Sequence, residues 1–174
     1  MIKIHNVIQG SAEWHKIREN RYTGQNAHKL LKTDDKSYAL NSSHDEWNGN
    51  FYTQRGHILE EQAIEIYEKI KGLKVDRPGF VTNDKYPKAG YSPDGLLPDR
   101  TIEVKSFNEK RHLSNAEYLE MEVKAQSQFG QVICEKDLTD VILYNPKLDA
   151  DKALFIITIR KNPLIHKNIK SKIL

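Results

Sequence analysis

Asp94, Glu103 and Lys105 lie within one short stretch, GYSPDGLLPDRTIEVKS, residues 90–106. In the extended run TIEVKSF the side chains alternate, so Ile102 and Val104 face one way while Glu103 and Lys105 face the other. On its own that pattern also describes an amphipathic strand with its charges in water. Asp94 adds a second carboxylate: it follows Pro93, sits beside Gly95, and a turn around LLPDR folds its strand back against the one carrying Glu103. Two carboxylates on one face repel each other unless a cation lies between them. Hard oxygen donors of this kind suit Mg²⁺, with Mn²⁺ able to substitute, and such ions keep waters and take phosphate oxygens in their remaining positions. Lys105 would then stand beside the cation, placed to orient a water and to offset charge on a phosphate.

A fourth residue comes from a helix predicted over Tyr52–Ile70 and stopped by Gly72. Leu59, Ala63, Ile66 and Ile70 form its expected buried stripe, and Glu61, Glu65 and Glu68 its solvated one. Glu60 falls on a third row with Ile64 and Tyr67, at the border of the buried stripe. A carboxylate there either reaches past its neighbours to water or finds a cation. With Asp94, Glu103 and Lys105 it completes a plausible metal-facing set.

The elements needed to hold these residues can be read along the chain. Ser11 is placed to cap a short helix through about Asn20, with Glu13 in its first turn, and Thr23 to cap a second to about Lys32. Thr33–Gly49 reads as a long polar loop, and residues 74–107 as short strands broken by Pro and Gly. Ser114-Asn115-Ala116-Glu117 has the form of a capping box opening a helix to about Cys134. DVILYNP and ALFIITIR follow as two strands apolar enough for the middle of a sheet. The sum is an α/β protein with a central mixed sheet flanked by helices.

Composition sets the limits. The 174 residues suit a single domain, 1–174, with 38% hydrophobic and 29% charged residues and a net charge of +3. No apolar run approaches a membrane span or a signal-peptide centre, so a cytoplasmic protein is expected. The single cysteine excludes a disulfide framework and any four-cysteine zinc or iron–sulfur site. Basic residues gather in EKRH at 109–112 and in IRKNPLIHKNIKSK near the C-terminus, the latter expected to be a solubilising tail.

PDGLLPDRTIEVK matches the P-D…(D/E)-x-K signature of the PD-(D/E)XK nuclease superfamily. The wider chain resembles its lambda-exonuclease-like or YqaJ-like viral recombinase branch. Four blocks carry the resemblance, in family order: QGSAEWHKIRENRYTG, RGHILEEQAIEIY, GYSPDGLLPDRTIEVKS and KAQSQFGQ, with YNP at 144–146 fitting the last part. The resemblance implies a restriction-endonuclease-like core. Asp94, Glu103 and the Val104 backbone carbonyl would be metal ligands, Lys105 the catalytic lysine, and Glu60, four residues after Gly56, the helix carboxylate. Gln126 matches the family's active-site glutamine, and Arg18 a basic residue that grips the DNA phosphate. Departures are visible as well. Thr23-Gly24-Gln25 stands where relatives often read Thr-Ala-Ser, so Gln25 must donate from an amide where a hydroxyl is usual. Val123 replaces an aromatic residue.

The expected chemistry is phosphodiester hydrolysis with Mg²⁺. The cation polarises the phosphate and lowers the pKa of water, while Lys105 orients the attacking water and Glu60 helps hold a second metal. The implied function is a 5′ to 3′ exonuclease on linear double-stranded DNA in phage-type recombination. The implied partners are a single-strand-annealing protein and further copies of the chain in a trimeric ring. A nicking or restriction-like endonuclease with the same core is the alternative, and a non-catalytic DNA-binding relative is disfavoured because the acidic residues and the lysine are all present.

Overall fold

The computed structural model describes residues 1–32 and 51–174 of the chain, and the loop expected over Thr33–Gly49 lies outside them. The elements run β1 (Ile2–His5), α1 (Ala12–Arg18), a single 3-10 turn (Gly24–Asn26), α2 (Ala27–Lys32), α3 (Phe51–Lys71), β2 (Phe80–Asn83), β3 (Gly95–Leu96) and β4 (Arg100–Lys105). They continue with α4 (Glu109–Glu117), α5 (Met121–Cys134), β5 (Leu138–Tyr144), β6 (Leu154–Arg160) and α6 (Pro163–Ile173). The main sheet has the order β3-β4-β5-β6. β3 is antiparallel to β4, β4 parallel to β5, and β5 antiparallel to β6, which makes the sheet mixed, as expected. Parallel neighbours need a long crossover, and α4 and α5 provide it. β1 and β2 form a separate antiparallel pair that the sequence did not announce.

The sheet lies between two helical layers. Against one face, Ala63, Ile64 and Tyr67 of α3 pack on Ile102, Ile142 and Tyr144. Against the other lies α5, whose Val123 meets Val141 and Leu143. The outer side of α5 is covered by α2, β2 and α6 through Ala27, Leu30, Val81, Ile169 and Ile173. Each fully buried Leu, Ile or Val among these contributes about 1.5–3 kcal/mol. Among the described residues no helix is long and apolar enough to cross a membrane.

Several expectations need correction. The Ser114–Glu117 capping box does not open a helix, because those residues close α4. Asn108 caps α4 by accepting from the Arg111 amide, and the Asn115 side chain accepts from the Glu120 amide, turning the chain into α5. α1 ends at Arg18, short of Asn20, whose φ of 58° is left-handed. Thr23 precedes the 3-10 turn without a side-chain capping bond to it. On α3 the buried face is rotated toward the Glu60 row: Ile64 and Tyr67 are buried while Ile70 is exposed. Glu68 is not simply solvated, since it accepts from the Val75 amide at 2.8 Å. β6 is an edge strand rather than a middle one. The basic C-terminal segment is no tail: it is α6, capped by Asn162, burying His166, Ile169 and Ile173, with Lys172 donating to the Leu30 carbonyl at 2.7 Å.

Candidate active site

The turn between β3 and β4 brings Asp94 beside the end of β4. Its amide donates to the Ile102 carbonyl at 3.1 Å, and its Oδ2 accepts from the Val104 amide at 2.8 Å. Backbone N–H and C=O of one strand residue leave on the same side, so the Val104 carbonyl also points toward Asp94, beyond the last β3 pair. Alternation along β4 is as expected: Ile102 and Val104 pack toward α3, whereas Glu103 and Lys105 face α5. There the Lys105 ammonium donates to Gln126 Oε1 at 2.6 Å. Glu103 is only 2% exposed, and the Tyr91 hydroxyl donates to its Oε1.

One cavity of about 450 Å³ collects most of the sequence-predicted residues: Asp94, Glu103, Val104, Lys105, Gln126, Arg18 and Gln25. On its far wall the Arg18 guanidinium stacks on Trp14, 4.0 Å from the ring centroid, and donates to Gln25 Oε1 at 2.9 Å. Trp14 in turn donates to Ser92 Oγ at 2.8 Å, which ties α1 to the loop leading into Asp94. Gln9 reaches the Pro93 carbonyl at 3.3 Å from the same N-terminal segment.

Glu60 is not in that cavity. It lines a neighbouring one of about 280 Å³, and Asp94 lines both. Glu60 approaches from the α3 layer, faces the smaller cavity together with Asp94, and shares Arg77 with it. Arg77 closes this side, a residue that no sequence spacing connected with Glu60. Its guanidinium donates to the Asp94 carbonyl at 2.7 Å, to Glu60 Oε1 at 3.2 Å and to Glu61 Oε1 at 2.7 Å. Tyr91 was missed for the same reason. Arg111, stacked 4.0 Å over Phe107 and paired with Glu120, was seen only as part of a basic cluster, yet it borders the main cavity.

The electrostatics follow from this crowding. Burial, then the charge of Asp94, pushes Glu60 up to about 9, with Arg77 opposing the rise. The same two causes, in the same order, hold Glu103 well above the usual carboxylate range, with Lys105 opposing. Among the described residues no three His, Cys, Asp or Glu side chains stand in a ready metal-ligating cluster. The donors nevertheless fit a hard divalent cation: two carboxylates on one wall, a backbone carbonyl directed the same way, and a third carboxylate beside the first. The raised proton affinities of Glu60 and Glu103 are the mark of a buried site short of positive charge.

Residues 3–135 match the YqaJ-like viral recombinase domain, and the chain belongs to that family. No curated protein matches it. Among solved structures, LHK-Exo, an alkaline exonuclease from Laribacter hongkongensis, superposes in its complex with dAMP with a TM-score of 0.81. The identity is 22%, over 94% of this chain and 89% of that one. The structure of LHK-Exo described without dAMP gives a TM-score of 0.79 over the same shares. A phage-related exonuclease from Haemophilus somnus gives 0.63 at 16% identity, over 91% of this chain and 92% of that one. Family and fold together place the chain among nucleases with a restriction-endonuclease-like core.

Proposed function

We propose that the chain hydrolyses phosphodiester bonds of duplex DNA from an end, in the 5′ to 3′ direction, with Mg²⁺ as the working cation. One observation carries this reading: a single cavity holds Asp94, Glu103, Lys105 and Gln126 together with the stacked guanidinium of Arg18. Hydrolysis needs the first group, and a grip on a terminal phosphate needs the last. The exonucleases to which the chain is structurally similar support the end-wise mode, and LHK-Exo has been solved with dAMP, a mononucleotide of the kind that such hydrolysis releases.

Asp94, Glu103 and the Val104 carbonyl would hold the cation, with Glu60 acting on it through Asp94. When bound, it supplies Lewis-acid polarisation of the phosphate and a more acidic water. Lys105, fixed by Gln126, orients the attacking water and offsets negative charge on the phosphate oxygens. Gln126 keeps the ammonium aimed, since its amide oxygen accepts from Nζ and leaves two protons for water and phosphate. Arg18 sets the register of the strand by taking a phosphate bidentately, and the Gln25 amide donates beside it.

Resection of this kind leaves a 3′ single strand, the form that a single-strand-annealing partner takes, and assembly of several copies around the duplex would keep the enzyme on it. The deciding experiment compares end-labelled linear duplex, with and without a 5′ phosphate, against covalently closed circles. Linear DNA should be degraded, faster with the 5′ phosphate, circles should survive, and EDTA should stop the reaction. Nicking of the circles would overturn the end-wise reading in favour of an endonuclease on the same core.

A further inference from the structure

Tyr91 holds a position that its neighbours were shaped to admit. Its main chain is pinned to β2, donating to and accepting from Val81 at 2.9 and 2.7 Å, so the ring is directed inward. Two glycines flank that ring. A Cβ on Gly24 would stand 2.3 Å from its Cε1, and a Cβ on Gly130 would stand 2.5 Å from its Cε2. Neither distance is possible without moving the ring. The slot between the 3-10 turn and α5 is therefore as wide as one aromatic ring, and Phe129 closes its inner end with ring centroids 6.3 Å apart. At the outer end the phenol meets Glu103, which no other tyrosine approaches among the described hydrogen bonds. The departure from Thr-Ala-Ser at Thr23-Gly24-Gln25 gains a physical reason here: alanine at position 24 would collide with this ring.

We propose that Tyr91 is a positioning residue for Glu103, its hydroxyl holding one carboxylate oxygen so that the group stays turned toward Asp94 as half of a divalent-cation site. The slot formed by Gly24 and Gly130 fixes the phenol, and the phenol fixes the carboxylate. Partners that orient a metal ligand in this way alter affinity by about 10–100-fold when removed. This inference rests on the metal-dependent reading above, so the test separates the two.

The experiment titrates Mn²⁺ into the full chain without DNA and follows free Mn²⁺ by electron paramagnetic resonance. Wild type should bind, and Tyr91→Phe, which keeps the ring and removes the hydroxyl, should bind about tenfold or more weakly. At saturating Mn²⁺, Tyr91→Phe should regain wild-type kcat with KM for DNA unchanged, a recovery that a merely structural defect would not show. Gly24→Ala should weaken Mn²⁺ binding in the wild-type background, by displacing the ring, and add no further loss in a Tyr91→Ala background. If Tyr91→Ala does not fold, Tyr91→Phe and Gly24→Ala decide the matter without it. Failure of the wild type to bind Mn²⁺ would overturn the metal-dependent reading. Binding by wild type with equal affinity in Tyr91→Phe or in Gly24→Ala would overturn the role of Tyr91 and leave that reading standing.

Discussion

Cation binding by this chain should expel protons, and the number expelled should depend on one glutamate and not on its neighbour. With Glu60 titrating near 9 beside Asp94, it carries a proton in about 97% of molecules at a pH of about 7.5. Burial and the charge of Asp94 also hold Glu103 well above the usual range, which adds to what the cation displaces. Ligation requires carboxylates. Binding therefore releases about one proton or more, and apparent affinity rises about tenfold per pH unit for each of them up to a pH of about 9. Isothermal titration of Mn²⁺ in two buffers of different ionisation enthalpy counts the protons directly, and repeating it at three pH values gives the slope. Glu60→Gln should release about one proton fewer and flatten the slope by about one, with most activity lost. Glu61→Gln should leave both unchanged, because Glu61 is 62% exposed and pairs with Arg77 at the surface. A pH-independent affinity, or equal proton release by wild type and Glu60→Gln, would refute the reasoning.

Lys105→Ala should slow cleavage by about 10²–10⁴-fold, while thermal unfolding and DNA binding by gel shift stay close to wild type, because the ammonium is not part of the core. Arg18→Ala should slow digestion of 5′-phosphorylated duplex more than 5′-hydroxyl duplex, and lower the salt slope of binding by about one. Equal slowing of both ends would make Arg18 an ordinary backbone contact. Without cation, stability should fall as pH rises from about 5 to about 9. The folded state keeps protons on Glu60 and Glu103 that the unfolded chain has released, and melting curves in EDTA against Mn²⁺ should show the cation removing that fall. Asp140→Ala should cost about 3 kcal/mol in denaturant unfolding, since the buried Asp140 accepts from Tyr67 and Thr158 at 2.6 Å and from Arg100 at 3.1 Å.

Asp94, Glu103 and Lys105 were legible in the sequence because a strand has a period of two and the three residues lie within a dozen positions of one another. Glu60 was legible from its helical row, although the row proved more buried than expected, with Ile70 left outside it. Arg77 and Tyr91 left no such trace. Their partners are brought close by the turn before β2 and by the stacking of the 3-10 turn on α5, and neither closeness has a period. Ser114 illustrates the opposite failure. A capping box is a local signal, and here Asn108 and Asn115, with better-placed side-chain bonds, set the helix boundaries instead. In α6 the lysines masked the apolar spacing of Ile165, Ile169 and Ile173, four residues apart, which marks a helix with one buried side.

The parallel pairing of β4 with β5 has a consequence for where this protein can be divided. The family match covers residues 3–135, yet the strand bearing Glu103 and Lys105 is bonded along its whole length, Arg100 to Lys105, to partners at 138–143. The segment that carries the family resemblance is thus not a unit that can be cut out and kept. A fragment ending at 135 would present β4 as a raw edge and uncover the Ile102 face, inviting self-association where the intact chain has a floor for its cavity.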